Sequence, residues 1–322
     1  MAFSPKVRKY LVILLIIGWA VTLSYSAYRL KKPKLSRQDT TQLYRNNRLL
    51  MGTFWEVVSP HKEASLIVFT EVERIERLLS KYIQDSEVSE LNRSGRLKVS
   101  PDTFYILQKS KEFSQLSQGA FDISVAPLVD LWGFTTQEHN VPDISLINST
   151  LKLVGSDKII LHEKDNVVEF KFPGMKIDLG AIAKGFALDC AVKALRKRKI
   201  NSCLINAGGQ VYALGNRFGK PWRIAIQNPR KPEITGILEL QDASVSTSGD
   251  YEQFFFKDGK RYCHILNPVT GYPADSGIAS VSVIANDALT ADALSTAIFV
   301  LGKTKGGELA TKFSNIKVKF SQ

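Results

Sequence analysis

The stretch KIDLGAIAKGFALDCAVKALRKRKINSCLINAGGQVYAL, residues 176–214, predicts a strand, a helix and a second strand in close succession. The run from Met175 to Leu179, which carries the carboxylate of Asp178, is typical of a short strand, and Gly180 ends it. A helix is predicted next, because apolar residues at every fourth position fall on one helical face: Ile182, Phe186, Cys190 and Ala194. Basic residues follow in its last turn, where cations suit the negative end of the helix dipole.

The second strand of this stretch, from Ser202 to Ile205, runs into the glycine turn Asn206–Gly209. The first turn of the helix has free backbone amides beside Asp178 and Lys184, an arrangement that often holds an anionic ligand. The glycines match neither the dinucleotide-binding pattern G-x-G-x-x-G nor the P-loop. The stretch therefore predicts either a phosphate site or a strand–helix–strand unit that binds nothing.

On both sides of this unit, strand and helix patterns mix without strict alternation. Helices are predicted near residues 62–79, 103–117 and 288–301, and strands near residues 51–58, 158–171, 222–227, 235–240, 243–246 and 278–284. Such a mixture favours an α+β fold, with mixed or antiparallel sheets and packed helices, over a doubly wound parallel sheet.

The N-terminal segment of the chain is apolar and flanked by cations. Residues 10–25 carry no charge and are long enough, with their flanks, to cross the core of a bilayer. We interpret residues 1–28 as a membrane anchor or as a signal segment, the latter with a cleavage site near Ser24–Ser26. Residues 29–48 are polar and aperiodic and are interpreted as a linker, so the folded domain is predicted to span residues 49–322.

Charge is distributed unevenly along the chain. The formal net charge is +12, but eight basic residues precede the first acidic residue, Asp39. The excess therefore belongs mainly to the N-terminal segment and argues against a nucleic-acid-binding domain. More cations follow the apolar run than precede it, which by the positive-inside rule favours a cytoplasmic domain. The three cysteines are widely spaced in apolar surroundings and are interpreted as core residues.

Outside residues 176–214, few side chains indicate a catalytic or metal-binding role by themselves. Asp292 and Thr296 lie four residues apart on the last predicted helix, so their oxygens share a face and suit Mg²⁺, although such a pair is also common without a ligand. His264 stands between a strand and a proline turn and is a candidate general base. The hydroxyls of residues 246–250 suit either a phosphate or a set of turns. The sequence contains no motif of a structural zinc site, a zinc protease or an α/β-hydrolase.

Eight short motifs occur in order along the chain. They are Met51–Thr53, Tyr82–Asn92, Gly119–Asp122, Asp178–Gly185, Asn206–Gly209, Ser246–Tyr251, His264–Pro273 and Ala291–Ala297. Each motif is weak alone, but the ordered set resembles the ApbE family, the FAD:protein FMN transferases. The resemblance covers the chain from Leu49 to its C-terminus.

The resemblance implies an enzyme that binds FAD and Mg²⁺, cleaves the pyrophosphate and transfers FMN to a Thr or Ser hydroxyl of an acceptor flavoprotein. AMP would be released and a phosphoester formed. By this resemblance, His264 matches the histidine that activates the hydroxyl, with Asp292 assigned to catalysis beside it. The metal ligands match the Ala181 carbonyl and the side chains of Asp292 and Thr296. The FAD contacts match Met51, Ser86, Ala120, Phe121, Asp122, Asp178, Lys184 and Ile265.

Two departures from the family pattern leave other activities open. Gln210 and Asn267 stand where many relatives carry acids. An FAD pyrophosphatase that yields FMN and AMP, or a flavin-binding protein without turnover, are therefore the alternatives. The resemblance further implies a single-pass anchor in a bacterial inner membrane and a periplasmic catalytic domain, in conflict with the charge distribution. Its expected partners are the membrane and an acceptor flavoprotein, with no nucleic acid.

Overall fold

The computed structural model describes residues 42–322. The predicted anchor or signal segment, residues 1–28, and the first part of the predicted linker lie outside the described residues. Within the described part, no helix is both long and apolar enough to cross a membrane. Residues 44–48, which the sequence assigns to the linker, instead belong to the first strand. This strand lies at the edge of a sheet and only its last residue, Leu50, is buried, so it shows no apolar alternation.

Fourteen strands lie within the described chain. They are β1 (Tyr44–Leu50), β2 (Thr53–Ser59), β3 (Arg96–Lys98), β4 (Ile159–His162), β5 (Val167–Phe170), β6 (Cys203–Ala207), β7 (Gln210–Leu214), β8 (Trp222–Gln227), β9 (Ile234–Leu240), β10 (Ala243–Gly249), β11 (Phe254–Lys257), β12 (Lys260–Cys263), β13 (Ser280–Ala285) and β14 (Lys317–Ser321). The central sheet has the order β1–β2–β6–β7–β10–β13–β14, and each neighbouring pair is antiparallel. Three smaller sheets have the orders β3–β5–β4, β8–β9 and β11–β12.

Seven α-helices accompany these strands in the described chain. They are α1 (Ala64–Leu79), α2 (Glu87–Ser94), α3 (Pro101–Leu116), α4 (Ala126–Leu131), α5 (Ile144–Leu151), α6 (Ala183–Lys197) and α7 (Ala288–Ala310). The α+β class predicted from the sequence is therefore confirmed. Helix α6 packs between α1 and α7, and α7 packs on β10 and β13 of the central sheet. The last helix is longer than predicted, because it continues past a kink at Gly302.

The central sheet is covered differently on its two faces. Neighbouring residues of a strand point to opposite faces, and on β2 Val57 packs in the main core with the helices, whereas Val58 packs in a second cluster. That second cluster includes Trp222 and Leu240 of the β8–β9 hairpin. Helices thus lie against one face and a hairpin against the other. The residues of α6 and α7 are positioned by the helix-covered face.

The run Met175–Leu179, predicted as a strand, belongs to no sheet of the described chain. Its hydrogen bonds go elsewhere: the Ile177 amide donates to Asn92 Oδ1 at 2.8 Å, and Asn92 Nδ2 donates to the Ile177 carbonyl at 3.0 Å. The Asp178 amide donates to the Ile123 carbonyl at 2.7 Å. A side-chain amide therefore takes the place of a neighbouring strand and holds the segment that leads into α6.

The helix predicted after Gly180 is confirmed as α6, but its buried surface is wider than the predicted face. Cys190 and Ala194, two members of that face, are only half-buried. The fully buried positions include Ala187, Ala191 and Leu195. Because α6 packs against a helix on each side, its small alanines are buried as well as its large apolar residues.

Candidate active site

The carboxylate of Asp292 lies buried where α6, α7 and β10 meet, with the residue only 4% exposed. Its Oδ2 accepts a hydrogen bond from the Gly185 amide at 3.0 Å, and its Oδ1 accepts one from the Ser246 hydroxyl at 3.2 Å. The Gly185 amide is one of the free amides of the first turn of α6, so the positive end of that helix dipole faces the carboxylate. The Lys184 ammonium lies 4.0 Å from Oδ1. The buried charge is thereby compensated by a helix end, a hydroxyl and a cation.

Glycine at position 185 allows α6 and α7 to approach this closely. A Cβ at Gly185 would lie 2.3 Å from the Ala288 carbonyl oxygen and 2.8 Å from the Leu289 Cα. Glycine is otherwise unfavourable inside a helix. The glycine in the first turn of α6 is therefore required by space, and the contact it permits joins the start of α6 to Asp292.

An ion pair and two hydrogen bonds connect Asp178 to the same helix start. Asp178 Oδ2 lies 2.8 Å from Lys81 Nζ, and Oδ1 accepts the Gly180 amide at 2.8 Å. The Gly180 carbonyl in turn accepts a hydrogen bond from Lys184 Nζ at 3.2 Å. Burial lowers the pKa of Lys81, but the charge of Asp178 and its hydrogen bond raise that pKa above the ordinary value. Lys81 is therefore a cation, and it holds Asp178 at the entrance to α6.

A cluster of hydroxyl groups lies along α7 beside Asp292. Ser248 Oγ is 2.8 Å from Ser295 Oγ and 3.2 Å from Thr296 Oγ1. Ser295 Oγ also lies 2.9 Å from the Asp292 carbonyl oxygen and 3.3 Å from Ser246 Oγ. All but the last residue of the hydroxyl-rich run 246–250, which the sequence assigns to a phosphate or to turns, thus belongs to β10, and its serines face α7. These hydroxyls fix the positions of the two predicted side-chain metal ligands.

The donors at this crossing fit a hard divalent cation. The predicted set is one carboxylate (Asp292), one hydroxyl (Thr296) and one backbone carbonyl (Ala181), all of them oxygen donors. Across residues 42–322 no group of three or more His, Cys, Asp or Glu is placed to hold a metal by itself. Mg²⁺ is commonly held by only one or two carboxylates, with water and substrate phosphates completing its coordination. The donor chemistry therefore matches Mg²⁺ bound together with a phosphate-containing substrate.

His264 follows β12 and its imidazole is held through one nitrogen. The His264 amide and the ring Nδ1 both approach the Gln253 carbonyl, at 2.9 and 3.2 Å. Because a carbonyl can only accept, Nδ1 carries the proton and Nε2 keeps a free lone pair. Burial lowers the pKa of His264 below its ordinary value, the hydrogen bond to Gln253 opposes this, and the charge of Lys184 lowers the pKa further. The ring is therefore neutral near pH 7 and able to accept a proton at Nε2.

Asp122, a predicted FAD contact, organises a buried loop. The residue is 8% exposed. Its Oδ1 accepts the Ser124 amide at 2.8 Å, and its Oδ2 accepts the Ser156 amide at 2.7 Å and the Ser114 hydroxyl at 3.3 Å. The carboxylate is thus occupied by protein donors, and in this structure its visible role is to hold together the segments around it.

Ala120 and Phe121, predicted beside Asp122 as FAD contacts, are 4% and 2% exposed and belong to the main core. The Ile123 carbonyl that follows them accepts the Asp178 amide. The run from Ala120 to Asp122 is therefore held next to the segment that carries Asp178, which is the position that a shared binding site requires.

The remaining predicted FAD contacts lie on three separate elements. Met51 occupies the turn between β1 and β2 with a left-handed φ of 50°. Ser86 is completely buried and caps α2: its hydroxyl accepts the Ser89 amide at 3.0 Å and donates to the Ser80 carbonyl at 2.5 Å. Ile265 follows His264 and is 9% exposed. Since its hydroxyl is fully engaged inside the fold, Ser86 is placed as a helix cap and its predicted contact with FAD stays a prediction.

The structure joins Asp178, Lys184, Asp292 and Thr296 in one network, and His264 is close enough that the charges of Lys184 and Asp178 act on its pKa. Sequence reasoning missed several residues that hold this network: Lys81, Ser248 and Ser295. Lys81 and Ser295 carry no local signal, because their partners are distant in sequence. The hydroxyl-rich run around Ser248 was a signal, but it did not indicate the partner.

Comparisons with known proteins show the family and the fold of the chain. The model of the ApbE family matches residues 51–320. An FAD:protein FMN transferase of Klebsiella pneumoniae is 37% identical over 272 residues, which cover 82% of this chain and 84% of that relative. The crystal structure of an ApbE protein from Thermotoga maritima has a TM-score of 0.80 and 33% identity, covering 87% of this chain and 97% of the other. The flavin transferase ApbE of Vibrio cholerae has a TM-score of 0.77 and 29% identity, with the same two coverages.

Proposed function

The chain belongs to the ApbE family and transfers FMN from FAD to protein, and we propose that it does so with Mg²⁺, to a Thr or Ser hydroxyl of an acceptor flavoprotein, releasing AMP. The observation that carries the proposal is the crossing of α6 and α7, where the Asp292 carboxylate is fixed by the Gly185 amide with Lys184 at 4.0 Å. A pyrophosphate is a poor electrophile until its charge is offset, and this crossing gathers groups that offset it.

We propose that the Ala181 carbonyl, Asp292 and Thr296 hold the Mg²⁺ ion. When bound there, Mg²⁺ would neutralise charge on the pyrophosphate and so favour attack at phosphorus. Lys184 adds a second positive charge at the same place, and Asp178 with Lys81 fixes the segment before it. Two of the three proposed ligands are held by hydrogen bonds to other parts of the fold, which supports this assignment: Asp292 by Gly185 and Ser246, and Thr296 by Ser248.

His264 is proposed as the general base. As the acceptor hydroxyl oxygen bonds to the phosphorus of the FMN half, its proton passes to His264 Nε2. The bond between that phosphorus and the bridging oxygen breaks, and AMP leaves with that oxygen. The Gln253 carbonyl keeps the proton of the ring on Nδ1, so that Nε2 is the nitrogen available for this step.

The reaction is tested with the full chain in detergent, FAD, Mg²⁺ and an acceptor flavoprotein domain that bears a surface threonine. We expect mass spectrometry to show the added mass of FMN on the acceptor, and none on an acceptor variant whose target threonine is alanine. AMP and free FMN without acceptor labelling would indicate a pyrophosphatase instead. Bound FAD without turnover in any divalent metal would indicate a flavin-binding protein.

We also propose that residues 1–28 anchor the enzyme in a bacterial inner membrane with its catalytic domain in the periplasm. The apolar run of residues 10–25 supports an anchor, and the family's usual acceptors favour the periplasmic side. A C-terminal fusion to alkaline phosphatase, which is active only outside the cytoplasm, tests the orientation. If this fusion were inactive and a control fusion to a reporter that works only in the cytoplasm were active, the proposed orientation would be the wrong way round. N-terminal sequencing of the membrane fraction distinguishes an anchor from a cleaved signal.

A further inference from the structure

Helices α6 and α7 cap each other at their N-termini. Asp292 of α7 accepts the Gly185 amide from the first turn of α6 at 3.0 Å. In return, Asp189 of α6 accepts the amides of Ala288 and Leu289, the first two residues of α7, at 2.8 and 2.9 Å. Advancing by four residues along α6 corresponds to going back by four along α7, so the helices run antiparallel where they meet. Each carboxylate faces the positive end of the other helix dipole.

Asp189 is not needed as the N-cap of α7. That helix has its own N-cap, Asp287, whose Oδ1 accepts the Thr290 amide at 2.7 Å. Asp189 instead reaches from another helix, and its carboxyl is buried enough that burial raises its pKa to about 7 against the opposing effect of its two amide bonds. Burial of a carboxylate is costly unless hydrogen bonds compensate it, and the compensating donors here are the two amides at the start of α7.

A second side chain holds the same point of α7 from the central sheet. Gln210 of β7 is 2% exposed, and its Nε2 donates to the Ala288 carbonyl at 2.9 Å. The Ala288 amide therefore donates to Asp189 and the Ala288 carbonyl accepts from Gln210, while Gly185 packs against that same carbonyl. The Gln210 Oε1 atom is buried without a hydrogen-bond partner among residues 42–322. The side chain thus contributes one bond, and that bond goes to the start of α7.

We propose that Asp189, assisted by Gln210, is a positioning residue that sets the register of α7 against α6 and so the affinity of the site for Mg²⁺. This inference rests on the proposed metal site. Asp292 lies one helical turn beyond Ala288, and the Ala181 carbonyl lies just before α6, so the proposed ligands stand on the two elements that Asp189 ties together. Groups that orient metal ligands commonly change metal affinity by 10- to 100-fold when they are replaced.

The test uses the full chain and the substitution Asp189→Asn, which keeps the shape of the side chain but removes an acceptor for one of the two amides. The matched control is Asp287→Asn at the same helix end, because Asn caps a helix about as well as Asp. Two quantities are measured: the Mg²⁺ concentration for half-maximal FMN transfer, and the Mg²⁺-induced rise in unfolding temperature with FAD present. The second readout requires no turnover.

We expect Asp189→Asn to raise the half-maximal Mg²⁺ concentration about 10-fold, with kcat at saturating Mg²⁺ within about threefold of wild type, and to shift the thermal curve to higher Mg²⁺ by the same factor. Asp287→Asn should leave both values unchanged. A lower unfolding temperature together with an unchanged Mg²⁺ requirement would show that Asp189 is only structural and would overturn the inference.

A second variant, at Gln210, keeps the inference testable if Asp189→Asn does not fold. Gln210→Met removes the donor to the Ala288 carbonyl and leaves Asp189 in place, and we expect a smaller shift in the same direction, about threefold. An unchanged Mg²⁺ requirement in both variants would overturn the inference while leaving the metal site intact. A wild-type enzyme that turns over equally well without divalent metal would overturn the metal site itself, and this inference with it.

Discussion

The proposed metal side of the site, which comprises Gly185, Asp292 and Thr296, is built differently from the proposed acceptor side, which comprises His264 and Gln253. Asp292 is 4% exposed and is held by groups from α6 and β10. His264 is half-buried and its ring is held by one carbonyl, with no hydrogen bond at Nε2 within residues 42–322. One side is fixed inside the core, and the other lies at the end of a two-stranded hairpin.

This difference matches what each side has to do. A metal ion and a pyrophosphate gain most from groups that are already in place before the substrate arrives, because no free energy is then spent on arranging them. The hydroxyl of another protein must instead reach the base from outside, so that base has to lie at an opening. The comparison therefore assigns the rigid part of the molecule to phosphate activation and the accessible part to the acceptor.

Removal of the buried carboxylate should have the largest effect. We expect Asp292→Ala to lower FMN transfer roughly 10³-fold, since the site loses a proposed metal ligand and the Gly185 amide loses its acceptor. Asp292→Asn is the matched variant, because it retains an acceptor for that amide but not the charge. We expect it to unfold near the wild-type temperature and still to be inactive. Substantial transfer by Asp292→Asn would show that the carboxylate charge is not needed.

Replacement of the base should be less damaging and confined to the chemical step. We expect His264→Ala to lower kcat roughly 10²- to 10³-fold, while the affinity for FAD and the unfolding temperature stay near wild type. Added imidazole should restore part of the activity by taking the place of the missing ring. A large loss of FAD affinity, or of stability, would mean that His264 holds the fold or the flavin.

The close packing of α6 against α7 can be disrupted without replacing a proposed metal ligand. We expect Gly185→Ala to destabilise the protein by about 1–3 kcal/mol and to reduce transfer severalfold, because the new methyl group would collide with the Ala288 carbonyl. The control is Gly307→Ala, where a Cβ meets no atom within 4 Å. That substitution should be neutral, or stabilising by about 0.5–1 kcal/mol as for a glycine in a helix. Equal unfolding curves for both variants would contradict the packing argument.

The pH dependence should show the smallest effect. His264 must be neutral to accept a proton, and burial and Lys184 hold its pKa below the ordinary value of 6.5. Activity should therefore be retained at pH 6.5 and fall only as the pH drops through the lower pKa of the folded protein. The acid limb of kcat/KM against pH measures this directly. A midpoint above 6.5 would show that the environment favours the protonated ring.

Much of the fold could be predicted from local patterns. The α+β class and the helices α1, α3, α6 and α7 follow from apolar periodicity. The pattern failed at Met175–Leu179, which joins no sheet of the described chain and is hydrogen-bonded instead to the side chain of Asn92. It also failed at residues 44–48, since an edge strand exposed on both faces needs no apolar alternation.

Only part of the candidate site could be predicted from the sequence. Asp292 and Thr296 share a helix face, and that spacing can be read directly. The pairing of Asp178 with Lys81, and of Asp189 with the start of α7, joins residues far apart in the chain, so no local pattern could indicate either. The glycine at 185 was visible, but the Ala288 carbonyl that requires it was not.

The most direct test of the division between the two sides is the affinity for FAD with and without Mg²⁺, measured by calorimetry in wild type, Asp292→Ala and His264→Ala. We expect Mg²⁺ to tighten FAD binding in wild type and equally in His264→Ala, because the metal side is intact in both. In Asp292→Ala the increment from Mg²⁺ should disappear. If Asp292→Ala kept the increment, or His264→Ala lost it, the metal would not act at the crossing of α6 and α7.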